Sequence, residues 1–178
     1  MSNLVFKKIV IEDDQTTLAD LRRLARDESF YPESYRDIVG KLFVTCYLGT
    51  KNSSEDTLKR AERVAEGIGS KHYAVTIDET CAAIQTILEQ ATGKTPRFTS
   101  QGGTYAEDLA LQNIQARSRM VVSFLLAQLV PWANDENGFL LVLGAANIAE
   151  ALYGYFTKYD CSAADLNPIG GINKSDLK

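Results

Sequence analysis

Residues 139–174 read F-L-L-V-L-G-A-A-N-I-A-E-A-L-Y-G-Y-F-T-K-Y-D-C-S-A-A-D-L-N-P-I-G-G-I-N-K. The apolar run Phe139–Leu143 enters a turn at Gly144, and a short helix-like segment carrying Glu150 follows. A continuous apolar run ending at glycine predicts a strand buried on both faces, as in parallel sheets. The loop beyond it is dense in polar groups, among them Thr157, Lys158, Asp160, Ser162, Asp165, Asn167 and Lys174. Ligands of open α/β sheets bind outside the carboxyl ends of strands. Ligand-binding residues are therefore expected here first.

Upstream, Tyr105–Pro131 predicts one long helix through Leu109, Leu111, Ile114, Met120, Val121, Phe124, Leu125 and Leu129. Its second half, 120–132, is apolar nearly all round, which predicts deep burial or contact with another subunit. Residues 93–103 read as a loop. Asp78 is expected to cap a helix whose apolar side holds Ala82, Ala83, Ile84, Ile87 and Leu88. Lys71–Ile77 predicts a strand. A helix opened by Ser53 or Ser54 is expected to stop at Gly67 or Gly69. Asp37–Gly49 contains K-L-F-V-T-C-Y-L, a further buried-strand pattern. Asp14–Arg26 reads as an amphipathic helix, and residues 1–12 as a strand or the tail of a helix. The order β-α-β-α-α-β-α predicts an α/β fold, a three-layer, doubly wound parallel sheet with right-handed crossovers, in a single domain over 1–178.

The chain has 178 residues, 45% hydrophobic and 24% charged, with net charge −4 and pI about 5.1. That is an ordinary globular balance. No dense Lys/Arg cluster marks a nucleic-acid face, so no nucleic-acid partner is expected. Three cysteines, Cys46, Cys81 and Cys161, stand far apart without C-x-x-C spacing. Disulfides and zinc sites are not expected, and a reducing, cytoplasmic setting fits. No secretory leader is read at the start. No apolar run approaches the roughly 18–20 residues that span a bilayer, so no membrane partner is expected. The one histidine, His72, opens a strand and reads as structural or exposed. One histidine leaves no room for a multi-histidine metal site. Neither G-x-G-x-x-G nor G-x-x-x-x-G-K-[ST] occurs.

Three constellations could carry chemistry. Asn113 and Arg117 are four apart and share a helix face, where with Gln112 or Gln115 they could hold a polar ligand or form a plain polar patch. Glu150 near a strand end could ligate Mg²⁺ together with phosphate oxygens, or be a solvated first-turn glutamate. Thr157-Lys158-Tyr159-Asp160 with Asp165 and Lys174 could recognise phosphates through the lysines and a ribose hydroxyl or a basic group through the aspartates, or be an ordinary polar loop.

L-A-L-Q-N-I-Q-A-R-S-R-M (109–120), L-L-V-L-G-A-A-N-I-A-E-A-L-Y-G-Y (140–155) and F-T-K-Y-D-C-S-A-A-D-L-N-P-I-G-G-I-N-K-S-D-L-K (156–178) resemble the synthetase domain of NAD⁺ synthetase, closest to its glutamine-dependent, two-domain form. C-Y-L-G-T-K-N-S-S-E-D-T (46–57) and A-T-G-K-T-P (91–96) match it in the same order. The resemblance covers about residues 37–178. It implies an ATP-pyrophosphatase with an adenine nucleotide α-hydrolase-like, Rossmann-like fold. The implied reaction is a ligase reaction of NAD biosynthesis: ATP-dependent amidation of deamido-NAD⁺ to NAD⁺ through an adenylate, with ammonia supplied from glutamine.

By resemblance, Glu150 is the magnesium ligand. Arg117, Lys158 and Asp165 would contact deamido-NAD⁺, with Asn113 near its nicotinate end. Ala145 and Lys174 fall at positions that contact ATP. A homodimer through the 105–131 helix is implied as well. Three departures stand against a complete site. The S-G-G-x-D-S loop that grips pyrophosphate is absent. Ala145 replaces Thr or Ser, removing a hydroxyl contact. No nitrilase-like glutaminase region or further substrate-binding segment is present. The chain is therefore expected to be a partial synthetase domain, incomplete on its N-terminal side and inactive alone. The alternative expectation is a non-catalytic module for nucleotide binding or dimer assembly.

Overall fold

A computed structural model describes residues 1–177. The chain divides into two compact units, Met1–Thr76 and the residues from Ile77 onward.

In the first unit, helices α1 (Ser2–Val10), α2 (Gln15–Ala25) and α3 (Tyr35–Leu42) pack around Ile9, Leu18, Leu21 and Ile38. Residues 1–12 thus resolve in favour of helix. Asp14 caps α2 by accepting the Thr17 N–H at 3.0 Å. α3 starts on a capping box between Ser34 and Asp37, which draws Lys41 and Leu42 into a helix. The strand expected within Asp37–Gly49 is correspondingly short: β1 runs Val44–Gly49. It is half-buried, with Cys46 exposed, and not covered on both faces. Ser54 caps α4 (Glu55–Ile68), and Gly69, at φ 80°, ends it. β2 (Lys71–Thr76) lies parallel to β1 in register Val44↔Lys71 to Gly49↔Thr76. His72 Nδ1 lies 2.8 Å from the Thr45 hydroxyl across the two strands.

In the second unit, α5 (Asp78–Thr92) is capped at Ile77 and not at Asp78, which is its first helical residue. Ile84, Ile87 and Leu88, expected inside, are exposed, and Cys81 is the buried residue of that helix. α6 (Tyr105–Ala133) spans 29 residues from a Thr104–Glu107 capping box. Its expected deep burial is not found. Leu111, Met120, Ala127 and Val130 are buried, while Val121 is 65%, Leu125 51% and Trp132 72% exposed. An all-round apolar helix buries only the faces that have neighbours. Here Leu140, Val142, Cys161 and Ala164 cover the Met120–Ala127 side.

The strand expected at Phe139–Leu143 is instead an extended segment with one parallel bridge, Leu143↔Leu166. The cause lies in its backbone partners. Pro131 has no N–H, so the Ala127 carbonyl four residues earlier has no helical donor. The Leu140 N–H takes that carbonyl at 2.8 Å, and the Asp165 carboxylate takes the Val142 N–H at 2.8 Å. No ladder can form where a helix and a side chain occupy the donors. Alternation survives: Val142 is buried, and Phe139 and Leu141 are exposed. Among the described residues the sheet therefore has two strands, and not the larger doubly wound sheet the element order implies. The architecture is α/β with a small parallel sheet.

Candidate functional site

The three constellations meet in the second unit. The α6 face carrying Asn113 and Arg117 grips the loop after α7 (Ile148–Leu152). Asn113 Oδ1 accepts the Thr157 hydroxyl at 2.7 Å, and Arg117 Nε donates to the Lys158 carbonyl at 2.9 Å. The i, i+4 spacing read from the sequence thus places two side chains on consecutive residues of one loop. Asn113 spends its carbonyl holding that loop, so it positions the loop at least as much as it could bind a ligand.

Asp160 organises the loop from within. Its carboxylate accepts the Thr157 N–H at 3.0 Å and the Ser162 N–H at 2.9 Å. Burial works to raise this carboxyl, but the hydrogen bonds from Ser162 and Thr157 outweigh it and hold it below the ordinary carboxylate range. Lys158 projects from the loop with its ammonium 5.1 Å from the Tyr159 ring centre. Asp165 is partly committed to structure, since one oxygen holds Val142.

The Gly144–Asn147 turn packs against the same loop. A Cβ on Gly144 would lie 2.9 Å from the Cys161 carbonyl, so glycine allows the approach. Asn167 donates to the Ala146 carbonyl at 2.8 Å, and Ile148 N–H donates to the Ile172 carbonyl at 3.1 Å, two residues before Lys174. Lys174 itself opens an exposed 3-10 turn. Asn147 caps α7 through Ala149 N–H at 3.1 Å, and Glu150 Oε2 returns the bond to Asn147 N–H at 3.2 Å. Glu150 is thus fixed in a half-buried capping box that leaves Oε1 to a second partner. Ala145 is exposed and has no polar side-chain atom, so only its backbone can meet a polar ligand.

Among the described residues no three His, Cys, Asp or Glu side chains cluster as a metal cage. One carboxylate together with nucleotide phosphates is a usual way to hold Mg²⁺, and Glu150 fits as one such donor. Burial, then the Asp160 and Glu150 charges, push the Cys161 thiol up. It packs against Met120, Ala127 and Val142. Among the described residues no helix is long and apolar enough to cross a membrane.

Asn147 is not singled out by the sequence reading. The Asn147 role was legible as N-x-x-E, the pattern of a capping box. The reach of Asn167 to Ala146, 21 residues away in the chain, leaves no sequence signal.

Residues 34–178 match the family described as NAD synthase. The chain is 50% identical over 165 residues to the glutamine-dependent NAD(+) synthetase of Rattus norvegicus and 49% identical over 165 residues to that of Homo sapiens. Each alignment covers 93% of this chain and 23% of the relative, so the chain spans about a quarter of the length of these relatives. A crystal structure of a glutamine-dependent NAD(+) synthetase from Cytophaga hutchinsonii shares the fold, with TM-score 0.72 at 23% identity over 98% of this chain and 29% of that one. With the family matched over most of its length and relatives near half identity, this chain belongs to the NAD synthase family.

Proposed function

We propose that these residues form one wall of an adenylation site that amidates deamido-NAD⁺ to NAD⁺, with ammonia derived from glutamine. The observation that carries this reading is the grip of Asn113 and Arg117 on the Thr157–Lys158 loop. It joins residues from two separate stretches into one polar, cationic surface beside the Glu150 turn. The nicotinate carboxylate attacks the α-phosphorus of ATP, a phosphorus–oxygen bond forms, and pyrophosphate leaves. Ammonia then adds to the activated carbonyl, an amide forms, and AMP leaves. The protein mainly aligns the reactants and neutralises charge.

In this reading Lys158, Arg117 and Asp165 orient deamido-NAD⁺, and Lys174 and the Ala145 backbone face ATP. Glu150 would hold Mg²⁺, which supplies charge neutralisation on the phosphates when bound. The exposed Val121, Leu125 and Trp132 face of α6 supports a homodimer through that helix. The surrounding fold is read as adenine nucleotide α-hydrolase-like, and its setting as cytoplasmic. These 178 residues lack a pyrophosphate-gripping glycine loop, so they are not expected to turn over alone.

The test is Glu150→Ala and Lys158→Ala in the intact enzyme, assayed with ATP, Mg²⁺, deamido-NAD⁺ and ammonia. Each should lower kcat/KM by at least about 100-fold, the scale of losing an electrostatic contact to the transition state. Wild-type turnover in both variants would sink the reading.

A further inference from the structure

Resting on that reading of Lys158, we propose that Tyr159 is a positioning residue: its strained backbone is retained because it sets the aromatic ring beneath the Lys158 ammonium. The argument begins at the turn. Asp160 N–H donates to the Thr157 carbonyl at 3.0 Å, closing a four-residue turn with Lys158 and Tyr159 in the middle. Tyr159 has φ 69°, whereas Lys158 does not have a positive φ. That is the pattern of a type II turn, whose third position calls for glycine or asparagine. A tyrosine there meets the Cβ clash that makes left-handed backbone costly for bulky residues.

The surroundings impose this conformation. Type I and type II turns differ by rotation of the central peptide, which reverses the carbonyl of the second residue. That carbonyl belongs to Lys158, and it is the one that Arg117 Nε takes at 2.9 Å. Arg117 therefore selects the turn type. Asn113 and Asp160 fix the turn on its other side through the Thr157 hydroxyl and N–H. Glycine at 159 would satisfy every one of these bonds with less strain. What tyrosine adds is its ring, and with the residue 64% exposed it contributes little to the core. The Lys158 ammonium lies 5.1 Å from the ring centre, within cation–π range. The ring restricts a long, flexible cation on the loop that Asn113 and Arg117 hold. Strain held at such a place is typical of pre-organised functional groups.

Three variants test this in the intact enzyme: Tyr159→Gly, Tyr159→Phe and Lys158→Ala. Tyr159→Gly should raise the thermal midpoint by about 2–4 °C as strain is relieved, yet lower kcat/KM for deamido-NAD⁺ about tenfold. Tyr159→Phe keeps the ring and should restore both values toward wild type. The Lys158 ε-methylene should show an upfield ring-current shift in wild type and Tyr159→Phe that disappears in Tyr159→Gly. Stability and activity moving in opposite directions is what a packing residue would not give. Wild-type kcat/KM in Tyr159→Gly, where Lys158→Ala is crippled, overturns the inference and leaves the functional reading intact. A midpoint that falls in Tyr159→Gly also overturns it. A silent Lys158→Ala removes the functional reading and the inference with it.

Discussion

At the residue scale, close approach and buried charge dominate. Gly144 faces backbone, not a flexible side chain: a Cβ there would lie 2.9 Å from the Cys161 carbonyl and 3.2 Å from Ala164 Cβ. Gly144→Ala should therefore destabilise by about 2 kcal/mol, as overpacking does. Scanning calorimetry should show a midpoint lower by roughly 4–8 °C. Asp160 supplies a pH dependence. Burial pushes its carboxyl up, but the hydrogen bonds from Ser162 and Thr157 prevail, so its folded pKa lies below the unfolded one. A depressed carboxyl contributes stability that is full above its unfolded pKa and is lost as pH falls through the folded value. The loss should appear below about pH 4. Midpoints measured across pH 2–7 (a range of roughly five units) should fall less steeply at the acid end in Asp160→Asn than in wild type. Equal acid slopes would refute the assignment. Arg117→Lys keeps the charge but loses the planar fork that donates to the Lys158 carbonyl and that, in the proposed site, would also meet deamido-NAD⁺. It should lower kcat/KM about tenfold with little change in midpoint.

At the element scale, the most informative feature is Pro131 near the end of α6. It frees the Ala127 carbonyl, and Leu140 N–H occupies it at 2.8 Å. One missing donor thus docks the following segment onto the helix. Pro131→Ala should let residue 131 reclaim that carbonyl. The Leu140 amide should then exchange with solvent at least about tenfold faster, read by hydrogen exchange, a loss of protection equal to about 1.4 kcal/mol. Unchanged protection at Leu140 would show that the docking has another cause. The outward face of the same helix gives a second prediction. Val121→Glu with Leu125→Glu touches side chains already 65% and 51% exposed, so the fold should survive. If this face joins two copies, sedimentation should shift from dimer to monomer in the intact enzyme.

At the scale of the whole molecule, many large apolar side chains remain open, from Ile87 on α5 to Trp132, Tyr153 and Tyr155. The chain also spans about a quarter of relatives with which it shares half its residues. An ammonia-dependent assay of residues 1–178 alone, with ATP, Mg²⁺ and deamido-NAD⁺, should give no NAD⁺ above background. Turnover would overturn the expectation that residues 1–178 are inactive alone.

The sequence by itself determined most elements and the family. Apolar periodicity located α2 and α6, composition located β2, and the Ser54 and Gly69 signals bounded α4, because cap and stop residues act on groups within a turn of themselves. The blocks around Arg117, Glu150 and Lys158 pointed to NAD⁺ synthetase. Tertiary structure alone decided which apolar faces are covered, since burial depends on neighbours and not on composition. It also decided that Phe139–Leu143 forms no ladder, because its donors go to Ala127 and Asp165. The joining of the site was likewise hidden. Asn113 to Thr157 and Asn167 to Ala146 span 44 and 21 residues, and no local pattern encodes a bond of that reach. A sequence records the propensities of short stretches, whereas the partner of a side chain is fixed only when distant stretches pack.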